Sequence, residues 1–145
     1  NATHLKHPPF TFEVPRYEPG TLTAIGYIHN SKAATHQQQT AGQPSKLLLR
    51  ADYSGKKLEA GKNDAVFVYA YVTDAKGAVV PGALNRITFS VEGDAEIVGA
   101  KTVEAEAGIA AILVKAGKQV GVVRVQAQAN GLEPVSLTLE TVASE

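Results

Sequence analysis

The chain contains no cysteine, no methionine and no tryptophan. Without cysteine there is no disulfide, no thiolate nucleophile and no zinc–thiolate centre. Methionine is missing even at position 1, and Asn1-Ala2-Thr3-His4 has no basic-then-apolar leader pattern, so processing or excision from a longer chain is expected. A surplus of charge is also lacking. The 14 basic side chains balance the 14 acidic ones, which argues against nucleic acid or an anionic membrane as a partner. No apolar run approaches the roughly 20 residues of a membrane-spanning helix. Glycine-rich turns join strand to strand rather than opening helices, so no phosphate-binding loop is present. A Gly-x-Ser-x-Gly nucleophile elbow is missing too.

What the chain does have is apolar residues at period two. They make up 44% of the 145 residues, too many for a disordered chain. Val66, Val68, Ala70 and Val72 alternate with Phe67, Tyr69 and Tyr71, and Ile87, Phe89 and Val91 alternate with Thr88 and Ser90. Val123, Val125, Ala127 and Ala129 alternate with Arg124, Gln126 and Gln128, and Val135, Leu137 and Leu139 with Ser136 and Thr138. Each run sends one side into a core and the other towards solvent. Asp74-Ala75-Lys76-Gly77, Pro81-Gly82, Glu92-Gly93-Asp94, Ala116-Gly117-Lys118 and Asn130-Gly131 supply turns at the spacing of sandwich strands. The best helical stretch, Val103 to Ile112, contains Gly108 and lacks a 3.6-residue period. The expected fold is all-β, an immunoglobulin-like antiparallel sandwich.

Residues 1–42 differ. They hold all four histidines, at 4, 7, 29 and 36, and the polar run His36-Gln37-Gln38-Gln39-Thr40. Phe10, Phe12 and Val14 alternate, and Leu22, Ala24 and Ile28 follow beyond a Pro15–Gly20 turn. Two or three strands are too few for a core of their own. This segment therefore reads as tail strands of a preceding sandwich at 1–42, joined through Thr40–Pro44 to a second domain at 43–145. The exposed edges of strands within 10–39 invite pairing with another copy or docking on the second domain.

Chemistry is harder to find. His4 and His7 precede Pro8 and Pro9, so no helix aligns them, and His29 and His36 have no acidic neighbour. No metal site and no cofactor is expected. Asp52, Asp64, Asp74 and Asp94 are turn-placed without the cluster that calcium needs. Glycoside hydrolysis takes two carboxylates about 5–10 Å apart across a sugar ring. Glu92 with Asp94, and Glu104 with Glu106, are the available pairs, and neither has aromatics around it to line a cleft. No catalytic residue is assigned. Phe67, Tyr69 and Tyr71 present three rings opposite the valines, a face suited to cover by a neighbouring domain or, through Tyr69, Tyr71 and Tyr17, to sugar stacking.

The stretch Phe10–Tyr27, with Val14-Pro15-Arg16-Tyr17-Glu18-Pro19-Gly20-Thr21-Leu22 at its centre and Thr40-Ala41-Gly42 after it, resembles the end of a β-sandwich in family 2 glycoside hydrolases, the β-galactosidase-like enzymes of Bacteroides-type bacteria. Asp64–Gly77, Ile87–Gly99, Ala105–Ala110 and Gly121–Leu132 resemble the C-terminal immunoglobulin-like domain of the same enzymes. Relatives carry a longer loop after the Glu96-Ile97-Val98-Gly99 element, which Lys101-Thr102-Val103 replaces here. The resemblance implies a parent enzyme that cleaves β-linked sugars with two glutamates on a (β/α)₈ barrel outside this chain, exported to the periplasm or cell surface. This fragment would then be non-catalytic, with the parent's other domains as its partners and carbohydrate as a further one. The second half is also similar to invasin-like repeats of bacterial adhesins, although no internal repeat at a fixed period is present.

Overall fold

The period-two runs become strands in the computed structural model, which describes residues 10–14, 16 and 18–143. In chain order these are β1 Thr21–Ile28, β2 Ser31–Gln39, β3 Lys46–Asp52, β4 Leu58–Ala60, β5 Ala65–Thr73, β6 Arg86–Glu92, β7 Ala95–Val98, β8 Thr102–Glu104, β9 Ile109–Ala116, β10 Val122–Ala129 and β11 Leu132–Ala143. No helix occurs among the described residues. The chain divides into two compact units, Asn1–Thr40 and Ala41–Glu145.

In the first unit β1 and β2 form an antiparallel hairpin from Thr21↔Gln39 to Ile28↔Ser31, with a bulge at Gly26/Tyr27. His29 and Asn30 close it at φ 47° and 61°. A two-residue loop with both φ positive is the mirror-image turn whose twist matches that of the strands. Every residue of both strands is exposed. The strand expected from the alternation of Phe10, Phe12 and Val14 does not form: 10–14 lies outside any strand and these side chains are exposed. Alternation selects which side chains share a face, but a strand also needs a neighbour for its N–H and C=O groups.

The second unit packs two sheets face to face. One runs β3-β5-β9-β7, the other β4-β11-β10-β6-β8. All pairings are antiparallel except β4 with β11, where Leu58–Ala60 runs parallel to Thr141–Ala143. Between the sheets lie Val66, Val68, Ala70 and Val72 of β5, Ala110, Ile112, Val114 and Ala116 of β9, Ile87 and Phe89 of β6, Val123, Val125 and Ala127 of β10, and Leu139 of β11. Burying each large aliphatic or aromatic side chain contributes about 1.5–3 kcal/mol. Within Lys101-Thr102-Val103, Thr102 and Val103 enter the edge strand β8, paired with Thr88 and Ile87 of β6. Ala107 and Gly108 turn the chain from β8 into β9 at φ 49° and 77°. A Cβ on Gly108 would lie 2.3 Å from the Val80 carbonyl oxygen, so only glycine fits.

Candidate functional site

The two sheets turn opposite chemistries outward. On the outer side of β10, β6, β8 and β11 stand Arg124, Gln126, Gln128, Arg86, Thr88, Ser90, Thr102, Glu104, Ser136 and Thr138, because the intervening residues point to the core. This is an ordinary wetted face. On the outer side of β3-β5-β9-β7 the register instead aligns three rows in which apolar and aromatic side chains predominate, with Arg50 and Asp52 at their β3 ends. Leu48, Tyr71 and Ile109 form the first, Arg50, Tyr69 and Ala111 the second, and Asp52, Phe67, Leu113 and Val98 the third.

Phe67 and Tyr69 lie 6.1 Å apart between ring centroids and Tyr69 and Tyr71 6.4 Å, tilted by 31° and 39°. The Arg50 guanidinium sits 5.8 Å above the Tyr71 ring, within cation–π range. Phe67 keeps 49% of its surface exposed, Val98 47% and Leu48 40%, while Tyr69 and Tyr71 are half-buried against their neighbours. From Phe67 to Tyr71 on β5 and from Ile109 to Val114 on β9 both sides are thus largely apolar, unlike a strand with one wet face, and Lys115 stands beyond them.

Of the rings singled out from the sequence, Tyr69 and Tyr71 are brought together here, and Tyr17 lies outside the described residues. His4 and His7 lie outside them as well, and His29 and His36 are exposed on the hairpin. Among the described residues no three His, Cys, Asp or Glu side chains converge as a metal site would require. The aspartates hold turns. Asp52 accepts the Ser54 N–H at 2.9 Å and Asp94 the Gln119 N–H at 2.6 Å. Asp64 accepts the Glu59 and Ala65 N–H groups and the Lys56 ammonium at 3.0–3.1 Å. The Glu59 N–H first, then Lys56, lowers its pKa below the ordinary carboxylate value, and the same contact raises that of Lys56.

Asp74 does the most. Its carboxylate accepts Gly42 N–H at one oxygen and Lys76 and Ala78 N–H at the other, all at 2.9 Å. These donors, Gly42 foremost, lower its pKa. One buried side chain thereby ties the Ala41–Ser45 segment to the turn after β5. That role follows from tertiary contact, and only the Asp74–Gly77 turn was visible in the sequence. Glu104 and Glu106 flank buried Ala105 at the sheet edge, both exposed.

Residues 49–138 match the family model described as glycoside hydrolase family 2 C-terminal domain 5. The chain belongs to that family. It is 30% identical over 135 residues to a β-galactosidase of Thermoanaerobacter pseudethanolicus, covering 87% of this chain and 18% of that protein. It is 27% identical over 144 residues to a β-glucuronidase of Formosa agariphila, covering 92% and 15%. The crystal structure of a family 2 glycosyl hydrolase from Bacteroides cellulosilyticus superposes with a TM-score of 0.77 at 27% identity, over 87% of this chain and 18% of that one. The chain therefore spans less than a fifth of the length of these relatives. As a domain of this family it is an all-β sandwich region, and its candidate site is the aromatic outer face of the β3-β5-β9-β7 sheet.

Proposed function

We propose that this chain is a non-catalytic accessory region of an exported β-galactosidase-like glycosidase, and that another domain of the same polypeptide covers its aromatic face. The observation that carries this reading is the asymmetry of the two outer faces. One is wetted, while the other aligns Phe67, Tyr69, Tyr71, Ile109, Leu113 and Val98 in register. Contiguous apolar surface rimmed by charge is the signature of an interface, and more than four-fifths of each relative's length lies outside the matched region. Arg50 and the three rings are the residue types that carry binding energy at such surfaces. The acidic residues hold turns or stand exposed at edges, so hydrolysis falls to a catalytic barrel elsewhere in the parent. The strand order of the two sheets supports an immunoglobulin-like sandwich.

The first 42 residues fit tail strands of a preceding sandwich, because among the described residues the β1–β2 hairpin is a two-stranded sheet with no third strand and no buried side chain. Localisation in the periplasm or at the cell surface is part of the same reading and rests on the family resemblance.

Hydrogen exchange in the parent glycosidase compared with the isolated chain tests the docking. Protection of β5 and β9 amides should rise in the parent while β10 stays unchanged. Equal protection in both overturns the reading, as does cleavage of an aryl β-galactoside by the isolated chain. A second reading, sugar stacking on Tyr69 and Tyr71, is favoured by the spacing of the rings along one strand. It requires galactoside binding that Tyr69→Ala and Tyr71→Ala abolish.

A further inference from the structure

A cleft of about 550 Å³ opens at the far end of the sandwich, between the β4–β5, β6–β7 and β9–β10 loops. Lys46 pairs with Thr73 at one end of β5 and Ala65 with Lys115 at the other, so this cleft lies at the pole away from the Ala41–Ser45 segment. Its volume is within the range of small-molecule sites, roughly 300–1,000 Å³. Its lining is unusual for such a site: Ala95 and Ala116 are the only apolar side chains, beside Asn63, Asp94, Glu96, Lys115, Lys118 and Gln119.

The charges cancel, two carboxylates against two ammonium groups, and Lys115 is already paired with Glu96. A phosphate or another anion would meet no net positive field, and an apolar ligand would find no surface to bury. What remains is an array of hydrogen-bond donors and acceptors. The amides of Asn63 and Gln119 each offer both, in the manner that pairs of neighbouring hydroxyl groups require.

The loops holding this array are tied to one another. The Gly61 N–H donates to the Gly117 carbonyl at 2.8 Å, the Gly117 N–H to the Asp94 carbonyl at 2.8 Å, and the Gln119 N–H to the Asp94 carboxylate at 2.6 Å. A Cβ on Gly117 would run into that carboxylate, so a side chain there would displace Asp94 from the Gln119 N–H. Asn63 sits at φ 57° in the β4–β5 turn, a left-handed conformation that asparagine adopts more readily than other side chains. Loops cross-linked in this way lose little further freedom on binding.

We propose that this cleft binds a neutral polyhydroxylated ligand, a mono- or disaccharide. The proposal is separate from the docking of the aromatic face and is read out at different residues. The test is an amide-resolved NMR titration of the 145-residue chain with lactose and cellobiose, with inorganic phosphate and glucuronate as anionic controls. Saturable shifts at Asn63, Gly117, Lys118 and Gln119 are expected with the disaccharides and not with phosphate. Asn63→Gly keeps the left-handed backbone while removing the amide, and Gln119→Ala keeps the backbone bond to Asp94. Each should weaken binding about tenfold, the loss of one good hydrogen bond. No shift with either disaccharide at tens of millimolar overturns the proposal. So does equal binding of phosphate, or a response centred on Tyr69 and Tyr71.

Discussion

The outer faces of the two sheets are built on the same core and face the same solvent, yet one is polar and the other is not. On β10 the outward residues are Val122, Arg124, Gln126 and Gln128, and on β9 they are Ile109, Ala111, Leu113 and Lys115, so the contrast holds along the strands and reverses at the one end where Val122 and Lys115 stand. Inward, the two strands are nearly interchangeable: Val123, Val125 and Ala127 against Ala110, Ile112 and Val114. The core of this domain is made of the inward set. The outward apolar set on β9 and β5 lies outside that core, and this difference is what supports the proposed docking of another domain there.

The sharpest break of this comparison sets Phe89 against Phe67, the same side chain on opposite sides of the fold. Phe89 is fully buried on β6 and Phe67 half-exposed on β5. In chemical denaturation of the isolated chain, Phe89→Ala should cost about 3–5 kcal/mol, and Phe67→Ala less than about 1 kcal/mol. Equal losses would mean that the aromatic face is already satisfied within the chain.

Asp74 tests the end of the aromatic sheet. Its folded-state pKa is lowered by Gly42, Ala78 and Lys76, while the unfolded chain returns it to the ordinary carboxylate value. The unfolded state therefore takes up the proton first as the pH falls. The stabilisation is full above the ordinary carboxylate range and is lost as the pH drops through the folded value. Asp74→Asn should be less stable than the parent sequence at neutral pH, and the gap should close on acidification. A gap that stays constant with pH would show that shape, not charge, holds the linker.

The smallest change in stability and the cleanest contrast come from paired lysine substitutions. Leu113→Lys and Gln126→Lys both add one charge to an outward position, and each should shift stability by less than about 1 kcal/mol. Binding of an apolar dye to the isolated chain should fall with Leu113→Lys and stay unchanged with Gln126→Lys. Equal responses would remove the distinction between the faces.

The same asymmetry explains which strands could be read from the chain. β6, β10 and β11 alternate visibly because one face is polar. β9 shows no alternation from Ile109 to Val114 because both faces are apolar there, and in β3 Leu48 between Leu47 and Leu49 masks an alternation that Lys46, Arg50 and Asp52 otherwise mark; period two vanishes where no polar residue marks it. β5 was legible only because its outward residues are aromatic and its inward ones aliphatic. The rings of Tyr69 and Tyr71 were therefore identifiable, but their extension across Ile109, Leu113 and Val98 was not, since register between strands far apart in the chain is set by packing. The cleft was illegible for a related reason: Asn63, Asp94 and Gln119 stand in three different loops.

By itself the sequence determined the all-β class, the turns, the inward-facing residues of the alternating strands and the lack of thiol chemistry, because these depend on residue type and local spacing. Only the tertiary structure decided that Asp74 reaches back to Gly42, that β4 runs parallel to β11, that 10–14 stays outside any strand, and that one sheet turns an apolar face outward. Each of those depends on which distant groups meet, and hydrogen bonds and close packing are satisfied by neighbours in space rather than in sequence.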